Sequence, residues 1–175
     1  MKKILVTGGV GFIGTNLIKV LVETGYDVTS IDNYSVGSIE NEVDNVNYIN
    51  TDIENIVDLD DDYDLCFHLA AKSRVQPSFK DPLEYLRVNV NGTAKVMEWA
   101  KITNTKVVYA GSSSRHCDPS DSPYAMYKFL GEEVCKLYKK SYSIDVEIAR
   151  FYNVYGPLES LDETHGNVIG IWRSK

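Results

Sequence analysis

The chain has 175 residues and a net charge of −7, with 43% hydrophobic and 25% charged residues, the make-up of an ordinary globular domain with a sizeable core. A nucleic-acid binder normally carries a basic face, and nothing in this composition suggests one. An acidic chain also repels polyanions, so a nucleotide ligand is expected to be small and held by backbone groups.

Cys66, Cys117 and Cys135 are odd in number and too far apart for a CxxC site. They read as reduced thiols of a cytoplasmic protein, not as a disulfide frame or zinc cluster. The apolar run Ile4-Leu5-Val6 is too short for a signal-peptide core, and no stretch approaches the ~20 apolar residues of a membrane span. The sequence holds no internal repeat and no low-complexity linker.

In chain order, Ile4–Val6 reads as a buried strand. Phe12–Thr24 reads as a helix with Ile13, Leu17, Val20 and Leu21 on one face, stopped by Gly25. Strands are expected at Val28–Ile31, Val46–Ile49 and Leu65–Leu69, then a helix from Pro82 to Ile102. A strand at Val107–Ala110 precedes a helix from Pro123 to Ser143, which Ser122 can cap with Pro123 in its first turn. Val146–Ala149 is the sixth strand. This alternation predicts an α/β fold, a doubly wound parallel sheet covered on both faces. The run Asp58, Asp60, Asp61, Asp62, Asp64 lacks the glycine and terminal glutamate of a calcium loop and reads as a solvated acidic loop. No metal is expected.

The segment Val6-Thr7-Gly8-Gly9-Val10-Gly11-Phe12-Ile13-Gly14 joins the first strand to the first helix. Gly8 allows the tight exit, Gly11 opens the backbone to a pyrophosphate, and Gly14 permits close packing of helix on sheet. The helix N-terminus then offers unpaired N–H groups and a partial positive charge. A glycine turn alone is weak evidence, because ordinary strand-to-helix turns also favour glycine. Here Asp32 ends the second strand 24 residues after Gly8, near the ~20-residue step at which an acidic residue meets a ribose in such sites. Its carboxylate repels an added phosphate, so NAD is expected over NADP. Asp52-Ile53 could meet the adenine amino group and ring, or be no more than a helix cap.

Tyr124 and Lys128 lie four residues apart on the predicted helix and share a face. A phenol holds its proton to about pH 10, and a neighbouring ammonium favours the phenolate, which can act as a base toward a hydroxyl. Tyr127 points elsewhere and is the weaker candidate. Such pairs are common by chance. The added signal is Ser112-Ser113-Ser114 at the C-terminal end of strand five, where parallel sheets bind ligands.

Taken together and in order, these segments resemble the extended short-chain dehydrogenase/reductase family, specifically its NAD-dependent nucleotide-sugar epimerases and dehydratases. The resemblance runs from Lys3 to about Pro157 and includes Asp32-Asn33-Tyr34-Ser35-Val36-Gly37, His68-Leu69-Ala70-Ala71, Asn89-Val90-Asn91-Gly92-Thr93, Ser122-Pro123-Tyr124-Ala125-Met126-Tyr127-Lys128 and Arg150-Phe151-Tyr152-Asn153-Val154-Tyr155-Gly156-Pro157. It implies a Rossmann-type fold in which Phe12 and Ile13 follow the pyrophosphate. Asp32, Asn33, Tyr34, Ser35 and Gly37 would surround the adenosine, with Asp52 and Ile53 at the adenine. Leu69, Ala70, Ala71, Lys72 and Asn89 would line the inner half of the cofactor. It implies a triad of Ser112, Tyr124 and Lys128, with Tyr152 over the nicotinamide. Ser114 would be a sugar contact and Asn153 a contact to the sugar diphosphate.

Dehydratases of this family usually carry Asp-Glu after the reactive hydroxyl, where Ser113-Ser114 stand here. The pattern is most similar to UDP-glucose and UDP-N-acetylglucosamine 4-epimerases, which implies a UDP-sugar substrate and reversible oxidation at C4. The resemblance also implies a homodimer through the helices Pro82–Ile102 and Pro123–Ser143. Val88, Met97, Trp99, Leu130, Val134 and Leu137 on them could be core or interface.

Two departures stand out: the loop from Ser114 to Tyr124 is short, with His116-Cys117 where Tyr-Gly is usual, and family members run to nearly twice this length. Residues 1–175 are therefore read as an NAD-binding domain, with 151–175 the start of a truncated substrate region. An epimerase, a silent dinucleotide-binding module, and a reductase or dehydratase of the same family remain the three readings.

Overall fold

The structure is a computed structural model that describes residues 2–59, 62–159 and Trp172. Most of the expected substrate-region start lies outside the described residues, as do Asp60 and Asp61 of the acidic run.

Six strands form one parallel sheet: β1 (Lys3–Thr7), β2 (Asp27–Asp32), β3 (Asn47–Asn50), β4 (Leu65–His68), β5 (Lys106–Ser112) and β6 (Val146–Phe151), in the order β3-β2-β1-β4-β5-β6. The order reverses beside β1, between β2 and β4, and such a switch point opens a ligand crevice at the C-terminal ends of the strands. The register places Thr7 beside both Ile31 and His68, so the glycine turn leaves the sheet at that crevice.

Side chains of β1 alternate between two cores, as a period of two requires. Ile4 and Val6 pack with Ile18, Leu21 and Val28 under helix α1 (Phe12–Glu23), whereas Leu5 joins Met97, Trp99, Val107 and Cys135 on the other face. The second core is covered by α4 (Thr93–Thr103) and α5 (Pro123–Tyr142). Both faces are thus buried, as expected of a doubly wound sheet.

Most local signals act as predicted. Gly25 ends α1 at φ +87° with its N–H on the Val22 carbonyl. The Ser122 hydroxyl accepts the Ala125 N–H at 3.1 Å, and Pro123 occupies the first turn of α5.

Three features differ. The buried face of α1 is Gly14, Thr15, Ile18 and Leu21, while Val20 is 57% exposed. Close approach at Gly14 rotates the helix: a Cβ there would lie 2.2 Å from the Gly8 carbonyl oxygen. A short helix, α2 (Val75–Lys80), precedes the expected long one. The span Pro82–Ile102 is itself built from α3 (Pro82–Leu86), a π-helical turn at Arg87–Gly92, and α4. Such wide turns recur at functional sites.

Val88, Met97 and Trp99 are core, and Val134 packs against them; Leu137 is 56% exposed. No helix among the described residues is long and apolar enough to cross a membrane, and no described cluster of His, Cys, Asp or Glu could hold a metal ion.

Candidate active site

A cavity of about 850 Å³ runs past the ends of the strands, from the glycine turn to the start of α5. Its size falls in the range of sites for large organic ligands, roughly 300–1,000 Å³. Gly8, Gly11, Phe12, Ile13 and Gly14 form one wall, with Asp32, Asn33, Ser35 and Gly37 beside them. Asp52, Ile53, Leu69, Ala70, Ala71 and Lys72 continue the lining. Ser112, Ser114, Tyr124, Lys128, Tyr152 and Asn153 complete it at the other end.

Gly8 makes the turn at φ +75°, and a Cβ there would stand 2.8 Å from the Ala70 nitrogen. Gly9, not singled out in the sequence, is also tightly packed, because a Cβ would meet the side chains of Ser30 and Ile18 at 2.0 and 2.8 Å.

Asp32 is positioned by its neighbours. Its Oδ2 accepts the Val10 N–H at 3.2 Å, and its Oδ1 accepts the Tyr34 N–H at 2.9 Å. Burial raises its carboxyl above the usual range, and these backbone donors oppose the shift. A carboxylate has about four acceptor positions, so capacity remains for a ribose hydroxyl.

Two expected contacts face elsewhere. The Tyr34 ring lies outside the cavity, and its hydroxyl donates to Glu42. Only the Tyr34 backbone, at φ +56°, serves the site. Asn89 is buried behind the cavity wall, where its side chain accepts the Lys72 N–H at 2.8 Å and donates to the Lys72 carbonyl at 2.9 Å. It fixes the loop after β4 and does not line the cavity.

That loop has a second anchor, which the sequence reading missed. Thr93 donates to the Asn89 carbonyl at 2.8 Å, so its oxygen accepts from His68 Nε2 at 3.1 Å. His68 Nδ1 then accepts from the Thr7 hydroxyl at 2.8 Å, and Thr7 Oγ1 accepts the Ala70 N–H at 3.1 Å. Donor counting sets the tautomer along the whole chain of contacts. Burial, and secondarily the charge of Lys128, pushes His68 down to about 3, so the ring is neutral.

At the far end, Tyr124 donates to Ser112 Oγ at 3.4 Å, and Ser112 Oγ also accepts from the Ser114 hydroxyl and N–H at 3.0 and 3.2 Å. The Ser78 hydroxyl of α2 accepts the Tyr124 N–H at 3.1 Å, which ties the start of α5 to the missed helix. Lys128 is buried and donates to the Ala110 carbonyl at 2.7 Å, with its ammonium 4.9 Å from the Tyr109 ring centre. Burial pushes that ammonium down to about 8, against the opposing pull of Cys135 and Glu132. The helix spacing thus brings Lys128 to the site, with one of its three N–H donors on a strand carbonyl. Tyr152 is 68% exposed and stacks near His116, with ring centres 6.4 Å apart.

The pattern of the NAD dependent epimerase/dehydratase family matches residues 4–175. The chain belongs to that family. Within it, the chain is 36% identical over 172 residues to a putative UDP-glucose 4-epimerase of Methanocaldococcus jannaschii, a match covering 87% of this chain and 56% of the relative. Among solved structures, a UDP-N-acetylglucosamine 4-epimerase from Methanobrevibacter ruminantium, in complex with UDP-N-acetylmuramic acid, superposes with a TM-score of 0.89 at 32% identity. That match covers 99% of this chain and 62% of the other. The Bordetella bronchiseptica enzyme WbmF in complex with NAD+ and UDP gives a TM-score of 0.85 at 35% identity, covering 98% of this chain and 56% of WbmF. The chain therefore spans little more than half the length of these family members.

Proposed function

We propose that this chain carries the NAD site and the proton-transfer group of a UDP-sugar 4-epimerase. The observation behind this reading is that one cavity joins the glycine turn and Asp32 to Ser112, Tyr124 and Lys128. The residues suit the dinucleotide: Gly8 and Gly14 leave no space for side chains between turn, helix and loop, and Asp32 retains acceptor capacity.

NAD, when bound, supplies the acceptor for a hydride from C4 and its source on return. The residues of this chain supply the proton transfer and the cofactor contacts. Tyr124 takes the proton of the 4-hydroxyl and later returns it, with Ser112 hydrogen-bonded to the same oxygen. Lys128 places a positive charge on the same face of α5, which favours negative charge developing nearby. Gly8, Gly11, Phe12 and Ile13 hold the pyrophosphate on the N-terminus of α1. Ser113 and Ser114 carry no carboxyl group for removing water from the sugar, which favours epimerisation over dehydration. Pairing of two copies through the span Pro82–Ile102 and the helix from Pro123 to Ser143 is part of the same proposal, supported by Leu83 and Leu137, 74% and 56% exposed.

Calorimetric titration with NAD, followed by conversion of UDP-galactose to UDP-glucose, tests the reading. NAD binding with conversion supports an epimerase. NAD binding without conversion leaves a dinucleotide-binding module, and absence of NAD binding overturns the proposal.

A further inference from the structure

Asp52 has no acceptor position left. Its Oδ1 accepts the Glu54 N–H at 3.1 Å and Arg87 Nη1 at 2.9 Å, and its Oδ2 accepts Asn33 Nδ2 at 2.9 Å and Arg87 Nη2 at 3.1 Å. Four donors fill the roughly four positions of a carboxylate. The Arg87 hydrogen bonds hold its carboxyl down at about 2.

Arg87 is equally saturated. Nη1 also reaches Glu54 at 2.6 Å, while Nε and Nη2 grip Glu84 at 2.8 and 3.0 Å, so all five of its N–H donors are used. The contacts continue from Asp52: the Asn33 side-chain oxygen accepts the Ser35 N–H at 3.1 Å, and Ser35 Oγ accepts Lys72 Nζ at 3.2 Å. Lys72 Nζ stands 4.0 Å from Glu84, which closes the ring at Arg87. Asn33, Ser35, Asp52 and Lys72 line the cavity, whereas Arg87 and Glu84 lie outside it.

We infer that Arg87 is a positioning residue for the adenosine half of a bound dinucleotide. From outside the cavity it locks Asp52, and through Asp52 it sets Asn33 and the ring around the adenosine mouth. Asp52 acts there as a bracket that holds Asn33 in the ring. The inference rests on the NAD reading above. Loss of the guanidinium leaves Asp52, Glu54 and Glu84 without their shared cation, and they repel one another. Lysine restores the charge but not the five-donor fork.

Calorimetry with NAD on the full chain tests this, with folding checked by circular dichroism. Arg87→Met is expected to weaken NAD on the order of tenfold, about the worth of one charged hydrogen bond. Arg87→Lys is expected to recover part of that loss. In an Asp52→Asn background, Arg87→Met should cost less than about threefold, because coupled groups are non-additive. Should Arg87→Met not fold, Glu84→Gln removes one arm of the fork and is expected to weaken NAD in the same direction by a smaller factor.

Wild-type affinity in a folded Arg87→Met chain overturns the inference, and so does a loss that adds fully to that of Asp52→Asn. If Arg87→Met does not fold, unchanged affinity in Glu84→Gln overturns it as well. A wild-type chain that does not bind NAD overturns the NAD reading and this inference together, whereas NAD binding that ignores Arg87 overturns only the latter.

Discussion

The two ends of the cavity are built to different tolerances. At the adenosine end, Arg87 uses all five donors, Asp52 all its acceptor positions, and Asp32 is held by two backbone N–H groups. At the catalytic end, Tyr124 meets Ser112 at 3.4 Å, Lys128 turns to the Ala110 carbonyl, and Tyr152 and Asn153 are exposed. A fully satisfied network is rigid, because any displacement breaks several contacts at once. Catalytic contacts are often long in the free protein and tighten around substrate. On the proposed reading, the dinucleotide would enter a preformed seat, whereas the sugar end would tighten around its ligand.

Tyr124→Phe is the sharpest way to separate the two ends. It should lower turnover by about 10²–10⁴, the usual worth of a positioned acid–base group, while NAD affinity by calorimetry stays within about threefold of wild type. An equal loss in both would show that the ends are not independent. Asp32→Ser acts at the opposite end. It should weaken NAD by roughly tenfold, about the loss of one charged hydrogen bond to the ribose, and relatively favour NADP. A titration with each cofactor reads the ratio, and an unchanged preference would remove Asp32 from the ribose contact.

The wall shared by both ends is tested through pH. His68 sits at about 3 in the folded chain against an ordinary 6.5. Between those values the unfolded chain binds more protons, so stability falls as pH is lowered through that window. Asp52, held down at about 2 by the hydrogen bonds of Arg87, contributes stability above the ordinary 3.8 that is lost as pH falls toward 2. Urea unfolding from pH 7 to pH 4.5 should therefore show a declining midpoint that His68→Gln flattens, because its replacement does not titrate. Lys128 supplies a smaller alkaline counterpart. Its ammonium sits at about 8 when folded and 10.5 when not, so its own contribution rises between those values, against the buried thiols of Cys66 and Cys135, which burial pushes up, and wild type should gain stability relative to Lys128→Met across that window.

The strands, the glycine turn, Asp32 and the capped helix α5 were legible because each is written in consecutive residues: a period, a turn residue, a cap. The same locality explains what was not legible. Helix α2 spans six residues around Pro77, too few for an apolar period to show. Asn89 was placed at the cofactor on its motif, but a motif does not tell which way a buried amide faces. Val20 was assigned to the buried face of α1, yet contact at Gly14 set the rotation of that helix.

The glycine-rich turn and Asp32, which carried the first expectation of a dinucleotide, sit where the sequence placed them because local backbone geometry decides a turn. That Asp32 keeps acceptor capacity while Asp52 takes four hydrogen bonds was decided only by tertiary structure. Arg87 lies 35 residues from Asp52 in the chain, and Thr7 lies 61 from His68. Hydrogen bonds form between groups that packing brings within about 3 Å, and no local pattern of residue types encodes that distance.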